Sequence, residues 1–207
     1  MQKIDLKSWS RIQQYNFFKS FDIPRYTITV DLDMTKFITK VKEKKDSFYL
    51  SFMYLVMKEV NQIENFLYRI IEEDVFLLKS SHPSFTDSIE GTDLFKFVTA
   101  DLEDNLDDFI KNARQKSKDQ GQKFIDYEAE ERVDVVYVTS FPWAKYTMAT
   151  NAYNLDKKDS IPRIAWGKYE LENDKIMMPF SIEVHHALVD GLHVGRLIQN
   201  IQKALNK

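Results

Sequence analysis

Between Lys175 and His186 every second residue is apolar: Ile176, Met178, Phe180, Ile182 and Val184. That alternation predicts a strand with one face turned to a core. Downstream the period changes. Val194, Leu197, Ile198, Ile201 and Leu205 fall on one stripe of a helix that runs toward the C-terminus, with Gly191 marking a turn between strand and helix. Arg25 to Asp33 alternates again and is rich in β-branched residues, so it reads as a strand. Asp33 is placed to cap a helix opening at Met34 or Thr35. Phe48 to Val60 is apolar nearly all round and lacks Gly and Pro, which predicts a buried helix.

The middle of the chain gives shorter signals. Strands are expected at Val75–Leu78, Leu94–Thr99, Val133–Phe141 and Arg163–Tyr169, with Pro142 ending or edging the third. Leu106, Phe109, Ile110 and Ala113 place a surface helix within Leu102–Lys118. Asp119 to Arg132 is polar and reads as partly loop. Strands and helices mix without a regular βαβ period, so the expected class is α/β in the broad sense. A mixed β-sheet packed with helices, an α+β-like two-layer sandwich, fits better than a doubly wound fold. The 207 residues suit one domain spanning 1–207.

Composition narrows the chemistry. There is no cysteine, which removes thiol catalysis and Cys-ligated metals and fits a cytoplasmic setting. The formal net charge is -3, and Lys40–Lys45 is a short basic run broken by Glu43, so no nucleic-acid partner is expected. No window approaches the ~20 apolar residues that span a bilayer, and the start is not that of a signal peptide, so no membrane partner is expected. No Gly-rich phosphate loop is present.

Three of the four histidines fall within nine residues: His185, His186 and His193. They stand where the late strand gives way to a turn. Neighbouring residues on a strand point to opposite faces, so His185 and His186 are poorly placed to share a metal, and none is expected. A histidine acting as a base needs a fixed tautomer. Asp190 is near enough in sequence either to orient the His186 ring or to hold the turn by pairing elsewhere.

The segment His185-His186-Ala187-Leu188-Val189-Asp190-Gly191, followed by Leu192-His193-Val194-Gly195-Arg196, closely resembles the active-site segment of the trimeric type A chloramphenicol acetyltransferases. Its shorter His-His-x-x-x-Asp-Gly form also occurs in dihydrolipoamide acyltransferases and condensation domains. The likeness continues through Asp5–Arg11, Tyr15–Phe18, Val60–Gln62, His82–Thr86, Phe141–Trp143 and Trp166–Tyr169. It implies a homotrimer with active sites between subunits and acetyl-CoA as co-substrate. His186 is then the general base, Thr139 stands where the family has an oxyanion-stabilising serine, and Asp190 pairs with Arg11 to hold the loop. His185 and His193 are structural by the same resemblance, and Lys168 lies toward the coenzyme end of the channel.

The implied function is chloramphenicol O-acetylation, with antibiotic resistance as its setting. Several positions depart from the family. Ala149 and Asn151 replace large apolar residues of the acceptor pocket, Ala165 replaces a threonine that assists through water, and Phe18 replaces a pocket tyrosine, while Phe95 matches. These departures keep two alternatives open: a different small hydroxyl acceptor, or an inactive trimeric binding or assembly protein.

Overall fold

The computed structural model describes residues 1–152 and 156–207. Its elements run β1 (Gln2–Lys3), α1 (Ile12–Phe18), β2 (Arg25–Asp33), α2 (Thr35–Lys44), α3 (Phe48–Val60), β3 (Tyr68–Ile71), β4 (Asp74–Leu77), β5 (His82–Ser88) and β6 (Phe95–Thr99). They continue through α4 (Leu106–Gln120), α5 (Tyr127–Glu130), β7 (Val135–Phe141), β8 (Arg163–Gly167), β9 (Glu170–Glu172), β10 (Lys175–His185) and α6 (Gly191–Leu205).

The main sheet orders its strands β2-β10-β8-β7-β5-β6, with β9 pairing on β10. β5, β7 and β8 are parallel neighbours; the remaining pairs are antiparallel. β1, β4 and β3 form a separate small antiparallel sheet. This is the mixed sheet packed with helices that the pattern predicts.

Register explains the layering. One row across six strands reads Ile28, Ile182, Ile164, Val138, Phe85 and Val98. The next row reads Thr29, Ser181, Ala165, Thr139, Thr86 and Phe97 and points to the other face. The apolar face takes the helices: Trp166 and Phe180 of that face meet Phe52 of α3 at ring-centroid distances of 5.0 and 6.3 Å. A slip of one residue would exchange core and hydroxyl faces, so the register is strongly specified.

Element ends differ from the sequence expectation where caps intervene. The helix expected from Leu102 begins at Leu106, because Asn105 Oδ1 accepts the Asp108 N–H at 2.9 Å and the Leu102 N–H is engaged by His82 Nδ1, also at 2.9 Å. Gly191 is the first residue of α6 rather than the turn, which His186 to Leu188 supplies. The strand expected to reach Tyr169 ends at Gly167, and β7 starts at Val135 rather than Val133. Asp33 does serve α2: its Oδ1 accepts the Thr35 N–H at 3.1 Å and the Thr35 hydroxyl at 2.7 Å.

Arg69 of β3, only 1% exposed, fastens the small sheet to the large one. Its guanidinium donates to the carbonyls of Phe66, Tyr68, Val133 and Val135 at 2.7–2.9 Å. Burial lowers its pKa to about 9, which still leaves it charged at neutral pH.

Candidate active site

β10 stops at His185 because the next residues turn back on themselves. The Leu188 and Val189 N–H groups both donate to the His185 carbonyl at 3.0 Å, and the His186 N–H reaches the Pro24 carbonyl at 2.7 Å. Asp190 then opens α6. Its backbone N–H donates to His193 Nδ1 at 2.9 Å, the reciprocal half of a capping box. Asn65 Nδ2 holds the Leu188 carbonyl at 2.9 Å from the other side.

Arg11 closes the turn from the N-terminal segment. It is 9% exposed. Nη1 and Nη2 each donate to an Asp190 carboxylate oxygen at 2.5 Å, Nε donates to the Ala187 carbonyl at 2.7 Å, and Nη2 also donates to the His186 carbonyl at 2.9 Å. One guanidinium thus grips two carbonyls and a carboxylate of the same turn. The hydrogen bonds from Arg11 hold the Asp190 carboxyl below its ordinary range, against the opposing effect of its partial burial. Trp9 steadies the segment, with ring-centroid distances of 5.1 Å to Tyr68 and 5.7 Å to Tyr15.

The two adjacent histidines differ sharply. His185 is 1% exposed; its Nε2 meets the Lys157 carbonyl at 2.8 Å and its Nδ1 accepts the Ala187 N–H at 3.2 Å. That pattern fixes a neutral ring with the proton on Nε2. Burial lowers its pKa to about 4. His193 is likewise held neutral, its pKa lowered first by burial and then by Arg11.

His186 is 33% exposed at its side chain, and its ring stacks on Phe18 at 3.8 Å and 7°. Tyr26 lies at 4.6 Å on a tilt, and its hydroxyl, pushed up to about 12 chiefly by burial, donates to the Val189 carbonyl at 3.3 Å. Nδ1 of His186 is buried and has no hydrogen-bond partner among the described residues, but stands 3.5 Å from Asp190 Oδ1. The carboxylate favours a proton on Nδ1, which leaves the Nε2 lone pair for an incoming hydroxyl.

Thr139 lies elsewhere. Its hydroxyl meets that of Thr86 at 3.2 Å on the hydroxyl face of the sheet. It lines a cleft of 780 Å³ together with Phe95, Asn151, Tyr137, Glu130 and Arg163. Thr139 pairs with Ala165 and Ala165 with Ser181, and His186 follows Ser181 by five residues along the chain. Two strand spacings and five residue rises separate Thr139 from His186 by ~19 Å. One chain therefore does not bring the two together.

The other sequence-derived positions divide accordingly. Phe18 belongs to the His186 side. Phe95 and Asn151 belong to the Thr139 cleft, whereas Ala149 is half-buried and does not line it. Lys168, 3.4 Å from Glu170, lines a 520 Å³ hollow with Phe48, Tyr49, Ser140 and Trp166. That hollow and the cleft share Thr86. Sequence reasoning did not find Tyr26 beside His186 or the charged cleft residues Glu130 and Arg163. For Tyr26 a signal existed in its place in the Arg25–Asp33 strand, whose pairing on β10 puts it opposite Val184. Among the described residues no group of three or more His, Cys, Asp or Glu side chains is placed to hold a metal, and no helix is long and apolar enough to cross a membrane.

The mixed sheet with helices on one face is a fold that this chain shares with solved acetyltransferases. A dihydrolipoamide acetyltransferase from Azotobacter vinelandii shares the fold at TM-score 0.69 and 14% identity, covering 93% of this chain and 85% of that one. The chain belongs to the chloramphenicol acetyltransferase family, whose model matches residues 1–202, and is an acetyltransferase of that family. A chloramphenicol acetyltransferase from Escherichia coli is 29% identical over 201 residues, 97% of this chain and 91% of that protein. One from Clostridium perfringens is 25% identical over 211 residues, 99% and 98% of the two chains. A solved chloramphenicol acetyltransferase superposes with TM-score 0.89 at 25% identity, covering 99% of this chain and all of that one.

Proposed function

We propose that this protein transfers an acetyl group from acetyl-CoA to a hydroxyl of a chloramphenicol-type acceptor, with His186 as the general base. His186 Nε2 takes the proton of the acceptor hydroxyl, and that oxygen attacks the thioester carbonyl directly. Thr139 donates to the oxygen that gains negative charge. When the carbon–sulfur bond breaks, the departing thiolate takes the proton back from the imidazolium. Arg11 and Asp190 do no proton transfer; they hold the turn that carries the base.

The observation that carries this reading is the His186 environment. The ring is fixed by a Phe18 stack, its backbone carbonyl is held by Arg11, and Nδ1 is buried beside a carboxylate. The separation between His186 and Thr139 supports a second copy completing each site, as in a trimer. The exposed Phe17, Phe21 and Ile23 beside His186, and the exposed Phe95 and Phe124 beside the cleft, are the kind of apolar surface that such copies cover. The coenzyme would approach through the hollow at Lys168 and the acceptor through the cleft at Thr139.

A different hydroxyl acceptor is the second reading, and the cleft favours it. Glu130, Tyr137, Arg163 and Asn151 set polar and charged groups into its otherwise mainly apolar lining. The test is acetyl-CoA-dependent acetylation of a hydroxyl-compound panel that includes chloramphenicol, with His186→Ala alongside. Turnover of chloramphenicol above the variant supports the first reading. Turnover of other members alone selects the second. Silence across the panel refutes both.

A further inference from the structure

The cleft that carries Thr139 holds a carboxylate that the steps above leave unused. Glu130, half-buried at the end of α5, lines that cleft beside Tyr137. The Tyr137 hydroxyl donates to Glu130 Oε1 at 3.1 Å. Burial first, and Glu130 next, push the Tyr137 pKa up to about 12, so the phenol keeps its proton and stays a donor. The Arg163 guanidinium stands over the Tyr137 ring at 5.6 Å and helps to hold it. One oxygen of Glu130 is thus fixed. The other, Oε2, is not buried and accepts no hydrogen bond among the described residues, so it is open to a ligand.

Charge in the cleft is out of balance. Its cations are committed: Arg69 to four carbonyls, Lys158 to Glu73 at 2.8 Å, and Arg163 to Asp159 at 2.5 Å and Glu183 at 3.3 Å. Of its carboxylates, Asp159 is paired, whereas Glu72, Glu130 and Asp156 have no ion-pair partner among the described residues. The sequence adds no cation between Ala152 and Asp156. Glu72 and Asp156 are exposed, where water and salt screen them; Glu130 is more sheltered. The wall near it is aromatic, with Phe95 and Phe97 set edge to face at 5.5 Å. Such rings accept an apolar body and attract a cation over their faces. Tyr137 and Thr139 are two residues apart on β7, so they face the same side ~7 Å from each other. A ligand with its hydroxyl at Thr139 therefore reaches Glu130 with a group several bonds away.

We propose that the acceptor is an apolar hydroxyl compound that also carries a protonated amine, and that Glu130 is the specificity-determining residue that binds the ammonium through Oε2. This rests on acetyl transfer at this site and on the second of the two acceptor readings above. The effect falls on acceptor binding, because the ammonium lies away from the hydroxyl that reacts.

A matched pair of acceptors tests this on the full chain with acetyl-CoA at neutral pH. One is para-(dimethylaminomethyl)benzyl alcohol, whose tertiary amine is protonated and gives no stable N-acetyl product. The other is para-isobutylbenzyl alcohol, the same shape with carbon in place of nitrogen. Wild type should favour the cationic probe in kcat/KM by about tenfold or more. Glu130→Gln can still accept from Tyr137 but loses the charge. It should cut that ratio about tenfold, through a raised KM for the cationic probe. Wild type that treats the two probes alike or favours the neutral one overturns the proposal, and needs no variant to do so. So does a Glu130→Gln protein with an unchanged ratio, including one that loses activity equally on both probes, which marks a purely structural role. Transfer to chloramphenicol or other panel members without a preference for the cationic probe sinks this proposal alone. Transfer to none of them, probes included, removes the acetyl-transfer reading itself.

Discussion

Replacing Arg11 by alanine strikes the turn that carries His186. Four hydrogen bonds disappear at once, to Asp190, Ala187 and His186. Breaking a buried ion pair by removing one partner costs ~3–5 kcal/mol. Asp190 is 34% exposed at its side chain, so water recovers part of that and the figure is discounted for screening to ~2–3 kcal/mol. The freed carbonyls of Ala187 and His186 add to it, giving ~3–4 kcal/mol in all. For a chain of this size each kcal/mol moves Tm by ~2–4 °C, so a fall of roughly 6–16 °C follows. Activity should suffer more than stability suggests, because a ~1 Å error in the base can cost ~100-fold in rate. Calorimetry and kcat measured well below the lowered Tm separate the two effects. Arg11→Lys keeps the charge but loses the fork, and should recover only part of both. An Arg11→Ala protein with Tm within 1 °C of wild type and undiminished kcat would refute the account of the turn.

Three further outcomes follow from the same geometry. The His185 pKa lies near 4 when folded against ~6.5 unfolded, so its neutral-ring stability is complete above pH 6.5 and drains away as pH falls toward 4, by at most ~3 kcal/mol; urea titrations across that window should show the slope in wild type and a flatter one in His185→Gln. The Asp190 carboxyl is lowered when folded, so its contribution is present at neutral pH and lost as pH falls through that lowered pKa; the stability gap between wild type and Asp190→Asn should close below about pH 4. Thr139→Val preserves shape and removes the hydroxyl, so kcat should drop ~100-fold or more while Tm moves little.

The late strand was legible because Ile176, Met178, Phe180, Ile182 and Val184 repeat with the period of a sheet whose one face is buried by helices. Arg25–Asp33 and Phe48–Val60 were legible to the residue for the same reason: their composition and their burial agree. The start of α4 was not, since Leu102 keeps a helical spacing to Leu106 but its N–H is taken by a histidine twenty residues earlier. β3 was missed because Tyr68–Ile71 is too short to show a period and pairs only with its hairpin partner. Arg11 and Asp190 stand 179 residues apart, a pairing that no local pattern encodes and that entered only through resemblance to the family. Nor does spacing say that Phe18 stacks on His186; that contact arises when the chain crosses itself.

The central claim is that His186 of one copy works against the Thr139 cleft of another. Co-expressing differently tagged His186→Ala and Thr139→Val chains and purifying the mixed assemblies tests it directly. Release of the CoA thiol can be read with a thiol reagent, because the chain itself has no cysteine. Each variant alone should be nearly silent. In a trimer every mixed assembly carries one site of three that joins an intact His186 to an intact Thr139, so the purified mixed assemblies should regain up to about a third of wild-type kcat. Mixed assemblies as silent as the parents, beside an active wild type, would contradict the account.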